Sequence, residues 1–271
     1  MTIVDLNPDL EPLYLVCLED WSSEMASAGD HKRRWYEKMK DQGLRVKVAL
    51  DNRDVPGGMI QYLPIEHAFA EGDKLYMILC IWVHGYAEGR GNFQGKGMGQ
   101  ALLRAAEEDA RALGAQGMAA WGVDLPFWMK AAWFGHHGYR VADRVGTQVL
   151  LWKPFVPQAN PPRWIRGKRR PEPVPGVVSV VAFVNGWCQA ANLVAERARR
   201  AAAGFGHRVR FEIVDTSDRA TFLAWGISDA LFVDGTEVRT GPPPSEEELR
   251  ALIARRVQRL PDRTPPDKGR R

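Results

Sequence analysis

Four glycines, Gly91, Gly95, Gly97 and Gly99, are crowded into nine positions immediately before the run ALLRAAEEDARALG, which has the composition of a helix. Glycine disfavours helices, so these residues serve the loop that precedes the helix. The N–H groups at a helix N-terminus are unpaired and favour an anion, and glycine lets the backbone come close to a phosphate. The spacing therefore predicts a loop that binds a pyrophosphate.

Two common phosphate-binding loops do not fit this spacing. A Walker loop needs four residues between its first Gly and a Gly-Lys pair, but three residues separate Gly91 from Gly95. The dinucleotide fingerprint needs Gly-x-Gly-x-x-Gly after a first strand, whereas residues 95–99 have the pattern Gly-x-Gly-x-Gly in the middle of a domain. The spacing is therefore typical of neither a Walker loop nor a dinucleotide-binding loop.

The elements that position this loop follow from the hydrophobic pattern. The apolar run KLYMILCIWVH predicts a long central strand before the loop, and a helix over residues 99–113 follows it and ends at Gly114. Helices and strands precede this unit, and a strand, a helix and a final strand follow it. We expect a mixed α/β domain over residues 1–153.

The pattern Gln-x-x-Gly-x-Gly over residues 94–99 resembles the coenzyme-A loop of the GCN5-related N-acetyltransferases (GNAT). The stretch AAWFGHHGYR resembles the closing helix of that family, with Gly138-Tyr139 in place of its Gly-Phe ending. The run YMILCIWV is most similar to the YoaP-like branch, whose members also carry a C-terminal thioredoxin-like domain. The resemblance implies an α/β (α+β) fold: a mixed, mostly antiparallel sheet flanked by helices, followed by a smaller thioredoxin-like α/β domain.

The resemblance also implies the cosubstrate, acetyl-CoA, and direct transfer of its acetyl group to an amine. The pantetheine arm would pair with the central strand and the pyrophosphate would lie on the loop amides. The implied cofactor-binding residues are Ile81, Trp82, Val83, Gln94, Gly95, Lys96, Gly97, Met98 and Gly99.

The proton donor of the family has no obvious counterpart. Family members often place a tyrosine where this chain has Phe134, which has no proton to give. His136, His137 and Tyr139 are the nearby donors, although two adjacent histidines at a helix end are also natural capping residues.

Other candidate residues for catalysis are equally open to a structural interpretation. Cys80 is either a residue of the site, beside the expected cofactor strand, or an ordinary core residue. Glu88 in the long loop HGYAEGRG is either a catalytic base or a surface charge, and the same holds for Glu66 beside His67. Several tryptophans could line an acceptor pocket or pack in the core, and these are Trp21, Trp35, Trp82, Trp121, Trp128 and Trp133.

Composition divides the remainder of the chain. Residues 154–175 are rich in proline and arginine and predict an extended, exposed linker, and residues 261–271 predict a disordered basic tail. The basic excess behind the net charge of +4 lies in these two segments, which does not favour a nucleic-acid partner. A second domain is expected over residues 176–260.

The second domain has the predicted order βαβαββα, which looks thioredoxin-like. Trp187-Cys188 lies where that family has its active Trp-Cys, but Ala191 replaces the second cysteine, so a dithiol oxidoreductase is not expected. Cys188 at a helix N-terminus is expected to have a lowered pKa and to be the most reactive thiol, unless it is an ordinary thiol at a turn.

Several classes of protein are excluded or disfavoured. The 271-residue chain has no apolar run of membrane-span length, and its first residues lack the order of a signal peptide. Its three cysteines show no metal-ligand spacing, so we expect no metal and a cytoplasmic location. We predict an acetyl-CoA-dependent N-acetyltransferase acting on an amine of a small molecule or peptide. The alternative is a non-catalytic CoA-binding or thiol-sensing module, and the acceptor and oligomeric state stay open.

Overall fold

A computed structural model describes residues 1–124, 129–238 and 242–261. The elements that precede the glycine loop are β1 (Thr2–Asp5), α1 (Glu11–Leu15), α2 (Ser23–Ala26), α3 (His31–Met39), β2 (Arg45–Leu50), β3 (Pro56–Pro64), β4 (Ala70–Glu71) and β5 (Leu75–Val83). The elements that follow it are α4 (Met98–Ala112), β6 (Gly117–Val123), α5 (Ala131–His136), β7 (Arg140–Val145) and β8 (Gln148–Pro154).

These strands form a seven-stranded sheet with the order β1-β2-β3-β5-β6-β8-β7. Every neighbouring pair is antiparallel except β5 and β6, which are parallel. α4 covers one face, where the Tyr62 hydroxyl donates to Asp109 on the helix, and α1 covers the other, where the Tyr14 hydroxyl donates to Gln61. This confirms the mixed, mostly antiparallel sheet flanked by helices that the sequence predicts.

The C-terminal part of the chain forms a second, smaller sheet. Its elements are β9 (Arg163–Trp164), β10 (Val178–Val184), α6 (Gln189–Ala203), β11 (Val209–Asp215), α7 (Arg219–Trp225), β12 (Ala230–Val233), β13 (Thr236–Glu237) and α8 (Glu246–Val257). The strand order is β11-β10-β12-β13, with β10 and β11 parallel and the other pairs antiparallel. From β10 onward the element order is the βαβαββα that the sequence predicts, with a separate apolar core between α6, α8 and the sheet.

The segment between the two sheets differs from the exposed linker that its composition predicts. Trp164 is buried, stacks on Phe69 with ring centroids 5.9 Å apart, and pairs through β9 with β4. Nearby, the Arg169 guanidinium lies over the Trp225 ring. The expectation of an exposed segment is therefore wrong at Trp164, because one indole buries enough apolar surface to hold the surrounding polar backbone against the protein.

The C-terminal region also packs directly against the N-terminal one. Trp187 is 5% exposed and belongs to the apolar core of the N-terminal region. Ion pairs join Arg197 to Glu24 and, when the imidazole is protonated, His31 to Glu196. The two sheets therefore share an interface with an apolar centre and a charged rim.

Two predictions fall on residues that lie outside the described part of the chain, namely Trp128 and nearly all of the basic tail. Within the described residues, the helices are too short or too polar to cross a bilayer.

Candidate active site

The glycine loop has the conformation that only glycine adopts easily. Gly91, Gly95 and Gly97 have φ values of +96°, +74° and +82°, in the left-handed region. A Cβ built on any of the three would meet no atom of the described residues within 4 Å. Gly97 is the N-cap of α4, and in the part of the chain that the structure describes no side chain caps this end. The first-turn N–H groups are therefore open to a ligand.

β5 and β6 separate next to this loop. They pair from Leu75 opposite Gly117 to Ile78 opposite Ala120, although both strands continue beyond these positions. The β3–β5 register shifts at the same place, so that Leu79 is the extra residue of a β-bulge. In the described residues, β5 from position 79 onward has no strand partner on the β6 side, and the sequence-predicted Ile81, Trp82 and Val83 lie on this edge.

Gln94 and Lys96 line the approach from the strand to the helix. The Gln94 side-chain amide donates to the Val83 carbonyl oxygen at 3.2 Å, which ties the loop to the end of β5. Lys96 is exposed, with its ammonium 5.2 Å from the centroid of the Phe93 ring, and Met98 is buried beneath the loop. All nine predicted cofactor-binding residues thus lie on one continuous path from β5 to the N-terminus of α4.

α5 contacts the glycine loop through Trp133, and His137, the C-cap of α5, lies beside this tryptophan. Trp133 packs on Gly99, where an added Cβ would lie 3.4 Å from the indole, and the His137 ring lies 4.2 Å from the Trp133 ring. His137 Nδ1–H donates to the Trp133 carbonyl oxygen at 2.8 Å, which leaves Nε2 for another partner. Phe134 is buried, and His136 is exposed.

Tyr139 occupies a different environment. Its ring is buried against Phe134 and lies beneath the ammonium of Lys153, which bonds both carboxylate oxygens of Glu107 in α4. Burial raises the pKa of the Tyr139 hydroxyl well above its usual value, and the Glu107 carboxylate raises it further. The structure places this hydroxyl beside the third turn of α4, away from the glycine loop.

Cys80 and Glu88 also lie apart from the histidines. Cys80 is buried opposite Gln61 on the face of the sheet that α1 covers, and burial raises the pKa of its thiol well above the usual range. Glu88 is exposed, and among the described residues no hydrogen bond or ion pair holds its carboxylate. The five sequence-predicted catalytic residues therefore do not form one cluster.

Cys188 contradicts the expectation of a lowered pKa. It is the N-cap of α6, yet burial against the N-terminal region raises the pKa of its thiol to about 12. The helix N-terminus stabilises a thiolate by only about one pKa unit, and loss of hydration outweighs it. Sequence reasoning could not detect the neighbouring region that covers this thiol.

The contacts that hold the loop 84–93 were missed from the sequence. His84 is fully buried, its Nδ1–H donates to the Gly91 carbonyl oxygen at 2.9 Å, and its Nε2 accepts the indole N–H of Trp21 at 3.0 Å. Arg90 forms a two-bond ion pair with Asp20 at 2.8 and 3.0 Å. The loop 84–93 is thereby fastened to the segment between α1 and α2. The sequence signals were the unusual length of HGYAEGRG, the position of His84 beside the expected cofactor strand, and Trp21 as a possible pocket residue.

Proteins similar to this chain were found among solved structures. No match was found among curated proteins. Similar solved structures include a GNAT family acetyltransferase from Brucella melitensis in complex with acetyl-CoA (16% identity, covering 60% of this chain and 94% of that chain, TM-score 0.39). Others are the N-acetyltransferase YhbS from Escherichia coli in complex with CoA (14%, 57% and 81%, 0.41) and an aminoglycoside 6'-acetyltransferase type Ii (17%, 58% and 99%, 0.44).

A family model covers the elements that carry the glycine loop and the divergent strands. It describes the acetyltransferase (GNAT) family and matches residues 7–127. The match agrees with the acetyltransferase class and with the acetyl-CoA cosubstrate that the resemblance implied. Residues 7–127, a little under half of the chain, are thus similar to the GNAT family of acetyltransferases.

Proposed function

We propose that this protein transfers the acetyl group of acetyl-CoA to an amine of a small molecule or peptide by direct attack of the amine on the thioester. The observation that carries the proposal is the open N-terminus of α4 directly beside the unpaired edge of β5. The open helix N-terminus suits a diphosphate, and the unpaired strand edge suits an extended arm that contains amide groups. The residues present therefore fit coenzyme A in shape and in hydrogen-bonding groups.

The chain would hold the two ends of the cosubstrate differently. N–H groups of residues 95–99 would bind the pyrophosphate, with Lys96 adding positive charge. Backbone groups of Ile81, Trp82 and Val83 would bind the pantetheine arm as an added strand would. When bound, acetyl-CoA supplies the thioester carbon that the amine attacks.

His137 is the best-placed residue to move a proton. Its Nδ1–H is fixed by the Trp133 carbonyl, and Trp133 packs on Gly99 of the cofactor loop. A histidine with one nitrogen free can protonate a departing thiolate near neutral pH. Tyr139 and Cys80 are less suited because burial raises their pKa values, and the exposed His136 and Glu88 have nothing to orient them.

We propose a structural role for the C-terminal region. Its strand order and its Trp187-Cys188 turn support a thioredoxin-like domain of the YoaP-like type, with the chain divided near residues 154–175. Because the Trp187-Cys188 turn is packed against the N-terminal region, redox exchange at this turn is disfavoured. The free cysteines agree with a cytoplasmic enzyme, and the alternative remains a CoA-binding or thiol-sensing module without turnover.

Turnover by the full chain separates these two functions. The protein is incubated with acetyl-CoA and a panel of amines, amino acids and peptides, and both free CoA thiol and acetylated product are measured. An acetyltransferase releases one CoA for each amine that it acetylates. Without an amine, it should release CoA no faster than acetyl-CoA hydrolyses in buffer alone. Tight binding of acetyl-CoA with no acetylated product from any amine would favour the non-catalytic alternative.

A further inference from the structure

A group of aromatic side chains lies beside the proposed pantetheine strand on the face that α1 covers. Trp82 has the same orientation on β5 as Cys80, two residues earlier. Its ring centroid is 6.1 Å from that of Tyr86, which is 6.1 Å from Trp21 and 5.5 Å from His84. Four rings from β5, the loop after it and the segment before α2 therefore meet at one place.

This group is tightly packed, and two of its four rings are nevertheless exposed. The indole N–H of Trp21 bonds His84, and Gly89 packs so closely on Trp21 that an added Cβ would lie 2.1 Å from its ring. Even so, Trp21 and Tyr86 are 44% and 45% exposed, which is high for such large apolar rings. Fixed and exposed aromatic surface of this kind is typical of a ligand site.

A carboxylate without a hydrogen-bond partner belongs to the same segment as Trp21. Glu19, two residues before Trp21, is half-buried near His84 and Tyr86, and burial raises the pKa of its carboxyl. No hydrogen bond or ion pair among the described residues engages this carboxylate, and both ring nitrogens of His84 are engaged elsewhere, by Trp21 and Gly91. Asp20, in contrast, is neutralised by Arg90.

We propose that this site binds the acceptor as an organic ammonium ion with an apolar or aromatic body, which releases a proton to solvent before the neutral amine attacks the thioester. The faces of Trp21, Trp82 and Tyr86 attract a cation, and Glu19 supplies the charged hydrogen-bond acceptor. With Asp20 paired, Glu19 and the exposed Glu88 leave the surroundings negative, which disfavours acceptors that carry a carboxylate beside the amine. The inference rests on the proposed acetyl transfer and narrows its acceptor class.

Binding of two isosteric probes to the full chain in the presence of CoA tests this inference. Phenethylammonium carries the charge, and phenethyl alcohol lacks it. Calorimetry should show the ammonium binding at least tenfold more tightly than the alcohol. Glu19→Gln should remove that preference, and Tyr86→Leu should weaken the ammonium severalfold. Glu108→Gln is the matched control, because it removes an exposed carboxylate on α4, on the opposite face of the sheet.

Each result has a definite meaning. Equal affinity of the two probes, no binding of the ammonium, or an unchanged preference in Glu19→Gln would overturn the inference. Acetyl-CoA binding is measured on the same samples, and thermal unfolding verifies that each variant is folded. Intact acetyl-CoA binding without an ammonium preference rejects the acceptor class alone, whereas wild-type protein that binds no acetyl-CoA rejects the proposed function as well.

Discussion

Two helices of this protein have comparable lengths and sequence settings but different surroundings. α4 and α6 are each 15 residues long, and each follows an apolar strand and a glycine-containing connection. Their N-caps are Gly97, which has left-handed backbone and no side chain, and Cys188, which has extended backbone. From local structure alone, both are candidate anion or thiolate sites.

Tertiary packing separates them. A Cβ on Gly97 would meet open space, whereas a Cβ on Gly186, in the turn before α6, would lie 2.8 Å from Trp35 Cβ and 2.9 Å from the His31 carbonyl oxygen. The first N-terminus faces solvent and is available to a phosphate. The second is filled by α3, so its residues serve as an interface. A strand–turn–helix unit is therefore a binding site only where the rest of the protein leaves it uncovered.

Removing the aromatic side chain of the turn before α6 should have the largest effect. Trp187→Ala deletes an indole that packs between Phe69 and Trp121, with ring centroids 5.9 and 6.0 Å away. We expect the free energy of unfolding in urea to fall by about 3–5 kcal/mol. Ile213→Ala, which shortens a side chain 38% exposed in the same region, should cost less than about 1 kcal/mol. Equal losses of unfolding free energy in the two variants would mean that Trp187 stabilises the interface no more than an exposed side chain does.

Obstructing the open site should have the next largest effect. Gly97→Val places a branched side chain where the pyrophosphate must approach, and we expect acetyl-CoA to bind about 100-fold more weakly, a loss of about 3 kcal/mol. Gly114→Val is the matched control, because Gly114 has nearly the same φ, +84°, and equally open surroundings at the other end of α4. Equal binding by the two variants in calorimetry would contradict the loop assignment.

The raised pKa of Cys188 should reverse the order of thiol reactivity expected from the sequence. With a pKa of about 12, Cys188 carries very little thiolate at neutral pH, and its alkylation should accelerate as pH rises above 9. Cys17 and Cys188 are both half-buried, but the Cys17 sulfur accepts a hydrogen bond from the Lys32 ammonium at 3.1 Å, so Cys17 should react first, roughly tenfold faster. Mass spectrometry after iodoacetamide treatment reports the order, and modification of Cys188 before Cys17 would contradict the account.

The smallest expected effect is that of one proteolytic cut between the two sheets on the association of the resulting fragments. Exposed basic residues from 166 to 170 should let trypsin cut between the two sheets. Because the regions share Trp187 and two ion pairs, the fragments should elute together in gel filtration at the volume of the intact protein. Separate elution would mean that the interface is too weak to hold the regions together.

The features that depend on local sequence were mostly predictable from the sequence. The mixed α/β class, the long central strand and the glycine loop with its helix follow from apolar periodicity and from residues whose backbone needs are specific, whereas the mostly antiparallel sheet was implied by the family resemblance. The burial of Trp164 and the packing around Cys188 could not be predicted, because they depend on surfaces far away in the sequence. The proximity of Glu19 to His84 and Tyr86 was missed for the same reason, since only the fold brings these two loops together.

Hydrogen exchange of the full chain with and without acetyl-CoA tests the central claim most directly, because it reports on both helix N-termini in one experiment. The account predicts that acetyl-CoA slows exchange of the backbone N–H groups of residues 94–99 and of residues 81–83. It predicts no change at residues 186–191, which the N-terminal region already covers. Protection at residues 186–191 without protection at residues 94–99 would contradict the assignment of the open helix N-terminus as the cosubstrate site.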